Sequence, residues 1–476
     1  MEKPISDDKK TKEIKMPALS VDAQSVDETV SADVAAPKKQ AGTAKKSSAT
    51  ASTAEKSAGA KTRKPSEKSL EKPKKKDGNA PPATAKASTR KPLKAVKKPE
   101  KALSVAEEGG LEPVLSPEPK RRRNADEPLY EYKGSMGGGI TLTAYLGESS
   151  VVDVPATVDG KPVTGLKKTF QDLPFIEYVT VPQGVTDIGV HTFAGCIALK
   201  EVLLPDSVSY IGAEAFAQCF SLNRIDLPDA VTYIGDWAFL RCRYLRSVRL
   251  PSNLEVLGVG VFAECSSLLA PVLPDKLSAV SNGAFSGCRS IAEITLPASV
   301  TEISDYAFYG CAALEAVNME DSIKMIGKRA FSGCQVLNSV VIPSGIKEIK
   351  AETFWGCSNL VAVVLPESME RIGDFAFSHC WTLRAINIPQ SVIHVGSFAF
   401  SHCKSLVTVV IPDSVSAIGA EAFWGCRPLR SVAIPDSVTE IGDYAFDGVR
   451  RFTIRCNPNS YAETYAREHK IRYERI

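Results

Sequence analysis

Cysteines are the residues of this chain with the widest choice of chemistry, since thiols form disulfides, bind zinc and act as nucleophiles. Eleven of the twelve cysteines recur at a constant interval of 23 residues. They are Cys196, Cys219, Cys242, Cys265, Cys288, Cys311, Cys334, Cys357, Cys380, Cys403 and Cys426. A constant interval of this length indicates a structural repeat before it indicates a reactive site.

These thiols could form disulfides, bind zinc or remain buried and reduced. Stacked repeats lie roughly 4.8 Å apart, close enough for some disulfides, but eleven thiols in one file cannot all pair. Zinc needs convergent ligands, and the one suggestive set is His379–Cys380 with His402–Cys403, one repeat apart. We expect buried, reduced thiols that pack as small hydrophobic groups, with disulfides and a metal as the less favoured alternatives.

The sequence offers no other catalytic arrangement. Its five histidines fit no nucleophile–base–orienter set; they are His191, His379, His394, His402 and His469. The glycines at 137–139 precede a strand-like run, whereas a dinucleotide-binding loop precedes a helix. We therefore predict no enzyme, with no catalytic, cofactor-binding or metal residues.

Phenylalanine shows the repeat most clearly, because thirteen of them follow one another at 23-residue intervals without an insertion. They are Phe170, Phe193, Phe216, Phe239, Phe262, Phe285, Phe308, Phe331, Phe354, Phe377, Phe400, Phe423 and Phe446. Self-similarity at this period is typical of a solenoid, in which each coil buries its apolar side chains against its neighbours.

One unit reads L-x-x-V-x-L-P-x-S-V-T-x-I-G-x-x-A-F-x-G-C. The segment LxxVxLP alternates with period two, which predicts a short strand that proline ends. The segment SVTxIG predicts a second short strand, stopped by glycine. The segment AFxGC predicts a short helical turn that brings alanine, phenylalanine and cysteine to one side.

The first part of the chain has a different composition. All 35 aromatic residues lie after residue 129, and residues 1–124 carry 29 basic and 17 acidic residues. The remaining residues carry 29 basic and 38 acidic residues. A segment so poor in apolar groups cannot offset the entropy lost on folding, so we predict a disordered basic arm over residues 1–127, rich in Lys, Ala, Pro and Ser.

This arm is either a solvated spacer or a contact for nucleic acid or another anionic surface, through the release of counterions. Its composition resembles the tails of linker histones, and "PKRRRN" at 119–124 fits a nuclear-import patch. A cationic segment on an exported adhesin is a third interpretation. The candidate contact residues are Lys74, Lys75, Lys76, Lys97, Lys98, Arg121, Arg122 and Arg123.

From about residue 129 to 476, the repeated unit resembles the BspA-type, or Treponema pallidum-type, leucine-rich repeat. The resemblance implies a right-handed, curved solenoid with a parallel β-sheet on one side. It also implies binding rather than catalysis, as in surface adhesins that hold matrix proteins or other cells. The chain departs from many such proteins because it begins with a lysine-rich arm where they carry a secretion signal.

The flanking segments complete the predicted organisation. Residues 128–163 are strand-rich and resemble the opening of such arrays, and residues 164–456 form the array itself. Residues 457–476 resemble the closing piece, a short helix followed by a strand that covers the last apolar face.

Two sets of outward residues are candidates for partner binding. One set lies on the strand LxxVxLP, where exposed aliphatic side chains alternate with small residues, although β-branched residues also simply favour strands. The other set consists of tryptophans near the turns, which could equally pack over neighbouring coils. The candidates are Leu203, Arg249, Val272, Val341, Val364, Asn387, Val410, Trp355, Trp381 and Trp424.

The function that follows is a non-enzymatic, protein-binding scaffold or adhesin-like protein that we expect to be a monomer. The alternative is a nucleic-acid-associated protein held by the arm. No secretion signal and no run of roughly 18 apolar residues is visible, so a cytoplasmic location is favoured, with the cell surface suggested by the family resemblance.

Overall fold

The computed structural model describes residues 128–135 and 137–476. These residues form a parallel-strand solenoid of about 15 turns with a spacing of about 23 residues, which confirms the predicted repeat fold. The predicted arm and its eight candidate basic residues lie outside the described residues.

The solenoid begins with two hairpins. Tyr130–Gly134 pairs antiparallel with Ile140–Tyr145, and Thr157–Val158 pairs antiparallel with Lys161–Leu166. Ile140–Tyr145 and Lys161–Leu166 then pair in parallel. The second hairpin thereby joins the first to the coils that follow, and the chain changes from antiparallel to parallel pairing here.

One face of the solenoid, the first sheet, is built from the strands that nearly all LxxVxLP segments form, with Arg472–Arg475 as its last strand. The alternation of these segments buries the central side chain of nearly every strand and exposes the two that flank it. The strands are Val151–Asp153, Tyr178–Thr180, Glu201–Leu203, Arg224–Asp226, Ser247–Arg249, Glu293–Thr295, Ala316–Asn318, Ser339–Val341, Ala362–Val364, Ala385–Asn387, Thr408–Val410, Ser431–Ala433, Thr453–Cys456 and Arg472–Arg475. They pair in six separate parallel ladders of two or three strands.

A second face, the second sheet, uses the shorter strand that most coils end with glycine, although Ser281, Ser304 and Lys350 take its place in three coils. Its strands are Asp187–Ile188, Tyr210–Ile211, Tyr233–Ile234, Ala279–Val280, Glu302–Ile303, Met325–Ile326, Glu348–Ile349, Arg371–Ile372, His394–Val395, Ala417–Ile418 and Glu440–Ile441. The glycine that follows allows close approach: a Cβ on Gly212 would lie 2.6 Å from the backbone carbon of Gly189.

The third side, the turn edge, is the series of turns that contain phenylalanine and cysteine. In most turns, three backbone N–H groups donate to carbonyls of the next coil. In one turn Glu214, Phe216 and Gln218 donate to the coil that follows, at 2.7–2.9 Å. The residues two before and two after each phenylalanine have positive φ, so these turns are not continued as helix. The helix among the described residues is Tyr461–Glu468, near the carboxyl end.

The phenylalanine rings form one stack through the interior. Successive centroids lie 5.0–5.7 Å apart with interplanar angles of 3–17°. Tyr145 extends the stack at the amino end, and Phe452 extends it at the carboxyl end. Replacing one such buried ring by alanine typically costs about 3–5 kcal/mol.

The repeated cysteines lie beside this stack as free, buried thiols. Each Sγ–H donates to the carbonyl of the phenylalanine in the preceding coil, as Cys311 does to Phe285 at 3.2 Å. The Phe285 carbonyl already accepts the Cys288 N–H of its own turn, so the thiol adds a second bond that links two coils as well as filling a small space, a role the sequence did not indicate. Burial raises the pKa of Cys311 to about 12, so the group stays protonated and can donate.

The carboxyl end closes the array. Ser460 caps the helix by accepting a bond from the Glu463 N–H, and Glu463 in turn binds Arg467 and Arg475. The Tyr465 hydroxyl accepts a bond from the Ala445 N–H in the last turn. The Ala445 N–H also donates to Gly442 in its own coil at 3.3 Å, so the helix adds a second contact that holds it against the last turn.

One coil departs from the repeat: Val272 is exposed as predicted, but the prediction of a strand at this position was wrong. The residue that should occupy the centre of the strand is Pro271, which has no N–H to give to a ladder. Residues 270–272 form no strand, and Val272 is 85% exposed. The first sheet is therefore interrupted between Ser247–Arg249 and Glu293–Thr295.

We predict that Pro271→Val restores the missing ladder, because valine supplies an N–H and favours strand geometry. Hydrogen exchange at the amides of Glu293–Thr295 should slow by about fivefold, equivalent to about 1 kcal/mol for one hydrogen bond. Pro297→Val is the control, since Pro297 follows a strand that is already complete. Unchanged exchange in Pro271→Val would contradict this explanation.

Candidate partner-binding surfaces

The first candidate surface lies on the outward side of the first sheet. Leu203, Arg249, Asn387 and the valines at 341, 364 and 410 end their strands with exposed side chains. Arg249 differs from the rest because it forms an ion pair with Asp229 at 3.1 Å. The sequence thus predicted the exposure of these six residues correctly.

Three valines on this sheet form what we call the valine strip: Val341, Val364 and Val410. Their exposed fractions are 52%, 38% and 61%. Val341 lies beside Val364 in register, and Val410 lies beside Asn387. The positions two residues before them are small, namely Ser339, Ala362 and Thr408, so the valine side chains stand on an even surface.

The second candidate surface lies on the turn edge, where we define the aromatic–histidine cluster as Trp355, His379, His402, Trp424, Trp381 and Lys404. The first four rings come from four successive coils and are adjacent in that order. Their centroids are separated by 5.7, 4.6 and 4.4 Å. The structure therefore places two of the three candidate tryptophans at the ends of one series of rings.

The third candidate tryptophan, Trp381, is included in the cluster because Lys404 lies against its ring. The Lys404 ammonium lies over the Trp381 ring, 4.0 Å from its centroid. Trp355 and Trp381 are 39% and 44% exposed, and Trp424 is half-buried. Each tryptophan thus presents part of its ring to solvent while it packs against a neighbour.

The two histidines occupy a backbone position that favours glycine. Both have φ near +60°, and seven other coils carry glycine at the same place in the turn. The ring of His402 lies beside Gly425, where a Cβ would be 3.0 Å from Nδ1. A left-handed backbone at a residue other than glycine costs about 1 kcal/mol or more, so these histidines are held in place by their neighbours.

Electrostatics in the cluster disfavour positive imidazoles. Burial lowers the pKa of His379, with further lowering by His402 and Lys404. Burial, Lys404 and Arg427 lower the pKa of His402 in the same way. Both rings are therefore neutral near pH 7, and the positive charge of the cluster resides on the lysine and arginine.

The histidines and their neighbouring cysteines point to different places. Cys380 and Cys403 donate to the carbonyls of Phe354 and Phe377 in the core, at 3.3 and 3.2 Å. In the part of the chain that the structure describes, no group of three or more His, Cys, Asp or Glu side chains could hold a metal ion.

The helix among the described residues, Tyr461–Glu468, is too short to cross a membrane.

Sequence reasoning missed Lys404 and treated the two histidines only as candidate metal ligands. A signal was present, because histidine replaces glycine in two consecutive coils and aromatic residues flank both. The contact between the four rings exists only in the folded array, because successive rings are about 23 residues apart in sequence and meet only when the coils stack.

The model for the BspA-type leucine-rich repeat region matches six copies, at residues 166–288, 261–383 and 324–455. The chain belongs to the BspA-type leucine-rich repeat family. No curated protein sequence matches the chain.

Several solved structures are similar to this repeat protein. A leucine-rich repeat protein from Bacteroides ovatus is 25% identical with a TM-score of 0.56, over 74% of this chain and 100% of that one. A leucine-rich cell surface protein from Faecalibacterium prausnitzii is 26% identical with a TM-score of 0.47, over 72% and 98%. The Treponema pallidum leucine-rich repeat protein is 29% identical with a TM-score of 0.27, over 55% and 91%.

We predict that Lys404→Gln raises the pKa of both histidines, because it removes a positive charge that disfavours protonation. Imidazole NMR titration of the full chain measures this directly. Lys276→Gln is the control, since Lys276 binds Asn253 in another part of the array. An unchanged His379 titration in Lys404→Gln would contradict the assigned cause.

The same shifts set the pH dependence of stability. A histidine whose pKa is lower in the folded chain binds fewer protons there than in the unfolded chain, so stability falls as pH falls from about 6.5. Thermal melting between pH 7.5 and 5 should show this loss, smaller in the His379→Gln/His402→Gln variant. Equal losses in both proteins would contradict the contribution of these residues.

Proposed function

We propose that this chain is a non-enzymatic, adhesin-like scaffold whose valine strip binds a partner protein. The observation that carries the proposal is the set of three exposed valines, Val341, Val364 and Val410, on one face of the first sheet. Contiguous exposed apolar surface often marks an interaction site, and the sheet of a solenoid offers an extended one.

The surroundings of the valine strip support a protein partner. The small side chains of Ser339 and Ala362 keep the surface even, so a partner backbone can approach it closely. Burial of about 1,200–2,000 Å² is usual for a specific protein complex, which an array of several coils can supply.

The proposed partner is a matrix or cell-surface protein if the chain is exported. If the chain is cytoplasmic, the proposed partner is a cytoplasmic protein instead. In both cases the proposed contact is the valine strip of a single chain, and the interaction depends on apolar burial rather than on a bound cofactor.

The test is binding of the full chain to purified matrix proteins, with Val341→Asp/Val364→Asp as the variant. Two carboxylates placed in a desolvated contact should weaken binding by at least about tenfold. Thr301→Asp/Thr439→Asp is the control, because it adds the same charge at exposed positions outside the valine strip. Equal binding by both variants would contradict the role of the valine strip, and no binding by the unaltered chain to any matrix protein would contradict a matrix partner.

A second candidate function is nucleic-acid association through the arm. It is favoured by the excess of 12 positive charges in residues 1–124, with 29 basic and 17 acidic residues, which lie outside the described part. Neutralisation of phosphates by such charges gives sequence-independent, salt-dependent binding.

This candidate predicts that the full chain shifts duplex DNA at physiological salt. Replacing the eight candidate lysines and arginines by glutamine should remove the shift, because each lost phosphate contact weakens binding. Replacing eight serines and threonines of the same segment by alanine is the control. If the unaltered chain does not shift the duplex, nucleic-acid association is excluded.

A further inference from the structure

The aromatic–histidine cluster is a second surface of unusual composition, distinct from the valine strip. Three of the four tryptophans of the chain belong to it, together with two adjacent histidines whose rings are tilted by 53° and a lysine. The fourth tryptophan, Trp237, lies in an earlier coil. Partly exposed aromatic rings concentrated in this way indicate a contact surface for a ligand with apolar faces.

The charge around the cluster is positive, although the chain from residue 125 onward is acidic overall. The segments 375–384, 398–407 and 422–430 contain no aspartate or glutamate. They contribute Arg384, Lys404, Arg427 and Arg430, all exposed. Among the ion pairs of the described residues, none involves these four side chains. Carboxylates border these segments at Glu352, Asp374 and Glu421, and Glu352 is paired with Arg329. The unpaired cations within the segments attract an anionic ligand.

Small hydroxyl side chains lie between the rings. Ser358, Thr382 and Ser405 are half-buried in the same turns that carry the cluster. Ser358 and Thr382 donate to backbone carbonyls of preceding coils, so their oxygens remain able to accept hydrogen bonds. The same bond recurs in other coils, for example from Ser221 and Ser290, so these hydroxyls are part of the repeat and offer acceptors to a ligand that carries hydroxyl groups.

The distance between ring and charge restricts the ligand further. Lys404 Nζ lies 4.0 Å from the centre of the Trp381 ring, so the apolar contact and the positive charge are adjacent. An acidic sugar carries its carboxylate directly on the pyranose ring, and one unit can contact both. In a nucleotide the ribose separates the stacking base from the phosphate, which suits a site where rings and charges lie farther apart.

We propose that the aromatic–histidine cluster binds a polysaccharide that contains uronic acids. Apolar faces of the sugar rings pack on Trp355 and Trp381, and the carboxylates bind Lys404 and Arg427. Because equivalent positions recur in every coil, the surface suits a polymer whose units also repeat. Neutral His379 and His402 accept or donate hydrogen bonds to sugar hydroxyls and fix the positions of the flanking tryptophans.

The test uses the full chain and a short oligogalacturonate as the probe, followed by intrinsic tryptophan fluorescence. The emission should change on binding, and affinity should fall by about tenfold or more in Trp381→Leu and in Lys404→Gln, as expected for loss of a desolvated ring or charge contact. Trp237→Leu is the matched control and should bind as the unaltered chain does. Lys404→Gln changes only an exposed side chain, so it reports on binding even if Trp381→Leu fails to fold.

Two further probes separate this ligand from other polyanions. The methyl ester of the oligogalacturonate keeps the sugar rings but lacks the charge, and it should bind at least about tenfold more weakly. Oligothymidylate tests a nucleic acid, and it should leave tryptophan emission unchanged even if the basic arm binds it. Equal affinity in the cluster variants and Trp237→Leu, or tighter binding of oligothymidylate through the same tryptophans, would overturn the proposal. Neither outcome bears on the valine strip, which Val341→Asp/Val364→Asp tests separately.

Discussion

The structure depends on the stacking of each coil on the next, because a single coil of 23 residues cannot bury its own apolar side chains. The contact is made by one phenylalanine ring per coil, at 5.0–5.7 Å from its neighbours, and by one thiol that donates to the preceding coil. Three backbone ladders surround this interior. The stability of a coil is therefore largely a property of its interfaces, as expected for a solenoid.

The same constraint explains why the outward positions differ so much between coils. A residue that faces solvent carries no packing requirement, so one coil presents Val364 on the first sheet and Trp355 on the turn edge without disturbing Phe354. The valine strip and the aromatic–histidine cluster lie on different sides of neighbouring coils. One is apolar and even, and the other is aromatic and positive, so the array presents two surfaces of different chemistry.

The sequence predicts the interior of this fold well because the period never changes. Thirteen phenylalanines at one interval fix which residues stack, and the alternation in LxxVxLP fixes the exposure of Val341 and Val410. It does not predict the bond from each thiol to a carbonyl 26 residues earlier, since that requires the offset between coils. The aromatic–histidine cluster was missed for the same reason, and the strand at Val272 was wrongly expected because Pro271 was overlooked within a strong repeat pattern.

Native-state thiol labelling tests the stacked interior most directly. All twelve cysteines of the chain are buried, and the stacking of coils is what buries eleven of them. Intact-mass spectrometry after iodoacetamide treatment of the reduced, folded chain should find no rapidly labelled cysteine, whereas the chain in denaturant should gain twelve labels. Labelling of several repeat cysteines in the folded chain at the rate of a free thiol would mean that the coils do not stack in this register.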